Sequence, residues 1–276
     1  MPELPEVETI VRGLQNVLNR TFFDIWTDSL NQIKKPKTLE EFKKGIKGKK
    51  IKKIWRRGKN IIFDLSEGLS LLAHMKLTGH FLLGERGEDN ADEFIRFIFR
   101  MDDGSILALS DVRRFAKIEL WKTCDLLGSK SFISLGPEPL DKEFTFNRFK
   151  KVLSGRKGRI KQVLMDQSVI VGIGNIYSDE ILFRAKVNPL EKTSDLNEGE
   201  LQEIYCNIKP VLEKAIKLGG ESFSDFRDIN GEKGNFDKEI KVYRRQGEKC
   251  FVCGTIIESV KIGGRTAHFC PLCQKL

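Results

Sequence analysis

A chain of 276 residues, 40% hydrophobic and 32% charged, is long enough for two ordinary domains with a sizeable core, and its balance is that of a globular protein rather than a disordered or membrane-embedded one. No apolar run approaches the ~18–20 residues that span a bilayer. The acidic opening MPELPEVETI lacks the apolar core of a secretion signal, so a cytosolic protein is expected. Lys and Arg outnumber Asp and Glu by 48 to 39, a net +9, which points to a polyanionic partner.

In chain order, Val7, Ile10, Val11, Leu14 and Leu18 recur at helical spacing near the start. From Lys34 to Lys59 cations crowd the chain, with Glu40 and Glu41 the only acids, a local bias that reads as a phosphate-facing or membrane-facing surface. The runs KKIKKIWRRGKNIIFDL, LSLLAHMKLTGHFLL, EFIRFIFRM and SILALSDVRRFAKIELW are short, apolar or alternating, and broken by Gly and Asp, the pattern of strands. DDG at 102–104 suits a hairpin turn. Residues 1–135 therefore read as a helix followed by a mostly antiparallel β-sandwich, in an α+β chain. LGPEPLD, with two prolines, reads as a linker over 136–144. Helical spacing then dominates a domain over 145–237: FNRFKKVLSG, IKQVLMDQ, NIYSDEILFRAKV and EGELQEIYCNIKPVLEKAIKLGG, the last ending on Gly219–Gly220 as a C-cap. Within it, residues 221–237, rich in Gly, Asp and Ser, read as a long mobile loop. A tail over 238–276 carries short strands around four cysteines.

Cys250, Cys253, Cys270 and Cys273 form C-x2-C-x16-C-x2-C. Two close pairs let four thiolates converge tetrahedrally on one Zn²⁺ at ~2.3 Å each, leaving no position for water, so the site is expected to be structural. Cys124 and Cys206 stand alone and read as buried thiols. Between the pairs, Gly263-Gly264-Arg265 fits the tip of a two-stranded hairpin that presents Arg265 outward, either as an ordinary loop cation or as a phosphate contact.

At the other end, removal of Met1 would expose the secondary amine of Pro2. An α-amino group has a pKa of ~7.7–8.0 against ~10.4 for lysine, so it is available as a nucleophile toward a sugar C1′ at neutral pH, by the logic of a Schiff-base lysine. Glu3 is adjacent and suited to moving protons.

The segments MPELPEVET, RRGKN, SDVRRF, LGPEPL, KQVLMDQ, VGIGNIYSDEILF and the closing GGRT and FCPLCQ resemble those of the formamidopyrimidine-DNA glycosylases, in that family's order along the whole chain. The resemblance implies a β-sandwich domain, a helix–two-turn–helix unit and a zinc hairpin, with one structural Zn²⁺. It implies a monomer that binds damaged double-stranded DNA, excises oxidised purines such as 8-oxoguanine and formamidopyrimidines, and cuts the strand by β,δ-elimination. On that basis Pro2 is the nucleophile, Glu3 the general acid/base and Glu6 the support of the Pro2 amine; Lys59 serves β-elimination, and Arg265 serves δ-elimination and clamps phosphate. Asn175 binds phosphate at a helix start or serves as a plain N-cap. His74, Arg96, Arg113 and Lys157 are further DNA contacts. Arg113, Phe115 and Leu77 fill the gap left by the flipped nucleotide, with Leu77 where the family has methionine, and the loop at 221–237 closes over the flipped base. Val112, Ala116, Arg96 and Arg244 depart from the family's usual proline, glycine, histidine and glycine. Two other readings stand beside this one: an endonuclease VIII-type enzyme for oxidised pyrimidines, and a non-catalytic zinc-ribbon protein that holds damaged DNA.

Overall fold

A computed structural model describes residues 1–84, 92–222 and 226–276 and divides them into two compact units. The first comprises Met1–Ile133 together with Leu218–Asn235; the second comprises Ser134–Lys217 together with Phe236–Leu276.

The first unit opens with α1 (Leu4–Leu14), then β1 (Phe22–Thr27), β2 (Ile33–Lys35), α2 (Leu39–Ile46), β3 (Ile51–Arg57), β4 (Asn60–Leu65), β5 (Leu69–His74), β6 (His80–Gly84), β7 (Ile95–Met101), β8 (Ile106–Ser110), β9 (Lys117–Lys122), and the short helices α3 (Thr123–Leu127) and α4 (Lys130–Ile133). The strands form a four-stranded sheet in the order β1-β7-β8-β6 and a five-stranded sheet in the order β2-β9-β5-β4-β3. Every pairing is antiparallel except β2 with β9. Phe22, Phe81, Phe97 and Phe99 of one sheet share a core with Ile61, Phe63, Leu71 and Ile118 of the other, the double layer that alternating strands demand. Val7, Ile10, Val11 and Leu14 put the apolar face of α1 into the same core.

The strand-like run 69–83 is divided between the two sheets by a turn at 75–79 that includes Lys76 at φ +55°. Helix α2 is an addition to the expected pattern. Thr38 caps it by accepting from the Glu41 N–H, and Phe42 and Ile46 bury its inner face; these signals are present in the sequence, but the density of lysines obscures them. DDG makes the β7–β8 turn, with Gly104 at φ +87°.

The second unit holds α5 (Phe146–Leu153), α6 (Ile160–Met165), α7 (Asn175–Arg184), α8 (Glu198–Lys217) and the hairpin β10 (Glu258–Ile262) with β11 (Arg265–Phe269). The proline-rich stretch at 135–141 is docked here: Gly136 lies so close to the Val169 backbone that a Cβ would fall 2.5 Å from its carbonyl, and Val171 N–H bonds Pro137 O at 3.2 Å. The expectation of buried lone cysteines is wrong. Cys124 and Cys206 are both exposed, because Cys124 sits in the first turn of the short α3 and Cys206 on the solvent side of α8, where Ile204 and Ile208 face inward.

The expected mobile loop lies partly outside the described residues, at 223–225. Its described remainder is anchored. Asn235 N–H bonds Leu218 O at 2.8 Å, Leu83 N–H bonds Ile229 O at 2.8 Å, and Phe226 and Ile229 are buried in the first unit's core. Two buried apolar side chains and a base closed by a backbone hydrogen bond hold the described part of this loop.

Candidate active site and DNA-contact residues

The chain start is built into α1. Glu3 occupies its N-cap position and Glu6 its third residue, each only 2% exposed. Glu6 uses both carboxylate oxygens on backbone: Oε2 accepts from Glu3 N–H at 2.7 Å and Oε1 from Glu221 N–H at 2.9 Å. Gly220, at φ +81°, is required here twice over, since a Cβ would lie 2.8 Å from Glu6 Oε1. Glu6 therefore fixes the first turn behind Pro2 and fastens the base of the 218–235 loop to it. Arg56 reaches from β3 to Glu8 of α1 at 3.1 Å, and Lys59, in the β3–β4 turn, is 7% exposed.

His74 pairs with Asn60 across β4 and β5. Its Nδ1 accepts from the Lys76 N–H at 3.0 Å, which leaves Nε2–H as the donor. Burial, reinforced by Lys76, Lys59 and Lys117, depresses its pKa to about 3, so the imidazole is a neutral donor at physiological pH.

Met75 is buried in the core, whereas Leu77 is partly exposed and borders a cavity of about 630 Å³. Arg113, Arg114, Phe115 and Met1 border the same cavity, as do Lys34, Lys76 and Lys117. The turn carrying Leu77 and the loop carrying Arg113 and Phe115 are locked together through buried Asp111. Its carboxylate accepts from Thr78 Oγ1, from Gln32 Nε2 at 2.8 Å and from Ala116 N–H at 2.8 Å, while Thr78 Oγ1 accepts from Arg113 N–H at 3.1 Å. Arg96 is placed differently from an open phosphate contact: it is buried, with NH1 on Asp28 at 3.1 Å and Nε on Asp111 O at 3.3 Å.

In the second unit Asn175 is the first residue of α7, and Gly174 is the N-cap. The plain N-cap reading of Asn175 is thereby overturned: Gly174 takes the extended cap backbone and no side chain caps the helix. The Asn175 side-chain oxygen is buried and has no hydrogen-bond partner among the described residues, an arrangement that suits an external ligand at a helix start. Arg265 is exposed at the hairpin tip, behind Gly263 and Gly264 at φ +54° and +76°, a two-glycine hairpin turn. Lys157 is exposed in the loop before α6.

Several side chains that sequence reasoning passed over hold this unit in register. Lys161 Nζ lies 2.6 Å from Asp179 Oδ1 and donates to Thr266 O at 2.9 Å and Asn175 O at 3.5 Å. Asp179 Oδ2 accepts from His268 N–H at 3.0 Å. Glu180 accepts from the N–H groups of Lys241, Val242 and Tyr243 at 2.9–3.0 Å; burial pushes its carboxyl up, against those three bonds. Arg244, in the position of the family's glycine, takes φ +59°.

The four cysteine sulfurs all lie within 4.8 Å of one another, with Cys250–Cys273 at 3.9 Å and both Cys253–Cys270 and Cys253–Cys273 at 3.4 Å. A tetrahedral Zn–S shell at ~2.3 Å sets S···S at ~3.8 Å, so the cysteines fit one structural Zn²⁺.

A β-sandwich whose first turn carries two buried carboxylates, with a helical unit ending in a four-cysteine hairpin, defines the class of helix–two-turn–helix, zinc-hairpin proteins. Family models match the chain in three successive parts: the formamidopyrimidine-DNA glycosylase N-terminal domain over residues 1–118, the formamidopyrimidine-DNA glycosylase H2TH domain over 135–227, and the zinc finger found in FPG and IleRS over 247–276. The chain belongs to the formamidopyrimidine-DNA glycosylase family. It is 41% identical over 276 residues to the formamidopyrimidine-DNA glycosylase of Pelotomaculum thermopropionicum, covering 100% of both chains. It is 39% identical over 278 residues to that of Desulfitobacterium hafniense, covering 99% of this chain and 100% of the relative. Among solved structures, the Lactococcus lactis Fpg in complex with an abasic-site DNA matches with TM-score 0.91 at 33% identity, covering 99% of this chain and 100% of that one. A MutM complex with carbocyclic 8-oxo-G DNA matches with TM-score 0.91 at 34% identity over 100% of both. Among the described residues no helix is long and apolar enough to cross a membrane.

Proposed function

We propose that this chain is a monomeric bacterial cytosolic base-excision repair enzyme that removes oxidised purines from duplex DNA and then cuts the strand at the resulting site. The observation that carries the reading is the buried first turn of α1, where Glu3 stands beside Pro2 and Glu6 is fully occupied in holding that turn. After loss of Met1, the Pro2 nitrogen attacks C1′ of the damaged nucleotide. The N-glycosidic bond breaks as the base leaves with a proton, and the sugar ring opens to an iminium on Pro2. Glu3 is the group within one residue of that nitrogen that supplies and recovers the proton. Loss of a C2′ proton from the iminium expels the 3′ phosphate, and a second elimination expels the 5′ phosphate. Lys59 acts in the first elimination and Arg265 in the second.

Asn175, Lys157 and His74 hold backbone phosphates, His74 through its Nε2–H. Leu77, Arg113 and Phe115 occupy the vacated base position, which offsets the few kcal/mol that flipping costs. The zinc site supplies no chemistry; when filled it fixes the hairpin that carries Arg265. Borohydride reduction during turnover of an 8-oxoguanine:cytosine duplex tests the scheme. A covalent chain–DNA adduct is expected, and Pro2→Gly should abolish most of it. Full lyase activity in Pro2→Gly would overturn the assignment.

A further inference from the structure

The sequence casts Arg96 as a DNA contact; its surroundings assign it another task. We infer that Arg96 and Asp28 act as a pair of positioning residues that hold Arg114 in its left-handed turn, and through it fix the projection of Arg113 and Phe115. This rests on the reading that those two side chains fill the vacated base position.

Arg114 lies between them in sequence with φ +55°, a left-handed conformation that the Cβ of a residue with a side chain disfavours. It is held there from two directions. Its NH2 donates to Asp28 Oδ2 at 2.9 Å and its NH1 to Asp28 O at 3.4 Å. The same Asp28 oxygen accepts from Arg96 NH1 at 3.1 Å, and Arg96 Nε donates to the carbonyl of Asp111, the residue that opens the loop. Asp28 follows β1 directly, and Arg96 sits in the neighbouring β7, where Thr27 pairs with Phe97. The anchor is therefore set by sheet register and not by a mobile side chain. With its side chain 10% exposed, Arg96 has no open face for a phosphate. Arg114, at 43%, remains at the surface. An acid that neutralises two arginines on a DNA-facing loop weakens phosphate attraction, so its presence is explained by geometry, not by affinity.

Four variants test this: Arg96→Gln, Asp28→Asn, the two combined, and Asp28→Asn combined with Arg114→Gly. The readouts are single-turnover excision, 2-aminopurine fluorescence opposite a tetrahydrofuran site, and the salt dependence of binding to undamaged duplex. Arg96→Gln and Asp28→Asn should each slow excision roughly tenfold and reduce the fluorescence change, with the salt slope unmoved. Combining the two should be no worse than either. Arg114→Gly should recover part of the Asp28→Asn loss, because glycine takes positive φ without a clamp.

The idea is overturned if Arg96→Gln lowers the salt slope by about 0.9, the mark of a lost phosphate contact. It is equally overturned if Asp28→Asn leaves the fluorescence and rate unchanged, or if Arg114→Gly rescues nothing. A wild-type chain that excises no lesion would sink the glycosylase reading itself, an outcome separate from all of these.

Discussion

His74 shows how one residue's surroundings fix both its chemistry and a pH dependence. Its Nδ1 is taken by the Lys76 amide, and its pKa falls to about 3 through burial and three lysines. An unfolded histidine titrates near 6.5, so between about pH 3 and 6.5 the unfolded state binds more protons. Stability should therefore rise with pH across that window and level off above it. His80 is shifted in the same direction, chiefly by burial. Thermal unfolding of wild type and His74→Gln from pH 4 to 8 checks this: the variant should show a shallower acid slope, and an unchanged slope would contradict the buried neutral imidazole. Nearby, Leu77 borders the cavity and is the wedge we propose, whereas Met75 belongs to the core. Leu77→Met should leave single-turnover excision within about twofold. Leu77→Ala should slow it roughly tenfold, a loss of ~1.4 kcal/mol in the transition state; equal rates for Leu77→Ala and wild type would remove Leu77 from the insertion set.

At the scale of elements, α7 is the spine of the second unit. Its consecutive acids Asp179 and Glu180 grip β11 and the 241–243 turn respectively, while its first residue offers a buried side-chain oxygen with no partner among the described residues. Lys161 and Asp179 are 1% and 0% exposed as a pair, and truncating one partner strands the other's charge. Lys161→Met should destabilise the protein by about 3 kcal/mol or more in urea unfolding; a loss below ~1 kcal/mol would show that His268 and water suffice for Asp179. Zinc removal acts on the same hairpin. One Zn²⁺ per chain should be released on denaturation in the presence of a chelating dye. The chelated protein should lose DNA cleavage, because the Arg265 hairpin no longer holds its shape. Retained cleavage in a zinc-free protein would contradict that structural role.

The sequence made most of these elements legible. Alternation marked the strands, the cysteine spacing marked the hairpin, and Gly263–Gly264 marked its tip. It did not reveal α2, because lysines hid the apolar triplet Leu39, Phe42 and Ile46. Nor did it show that the 75–79 turn sends the two halves of the run 69–83 into different sheets, since both halves are equally strand-like. Asp111, Asp179 and Glu180 all lie inside recognisable segments, yet their partners are far along the chain, and no local pattern announces a buried carboxylate's donors.

For the whole molecule, net charge +9 and the exposed cations Arg113, Lys157 and Arg265 call for DNA affinity that falls steeply with salt. The slope of log K against log salt should drop by about 0.9 for each phosphate-contacting cation removed. A lesion panel should show faster release of 8-oxoguanine and formamidopyrimidines than of oxidised pyrimidines; the reverse order would move the chain's specificity away from that of its named relatives. The most direct test of the account is to trap the enzyme with borohydride on an 8-oxoguanine:cytosine duplex and map the adduct by mass. The account predicts a single cross-link on the nitrogen of Pro2, in a chain that has lost Met1. A cross-link on a lysine, or efficient cleavage by protein that still carries Met1, would contradict it.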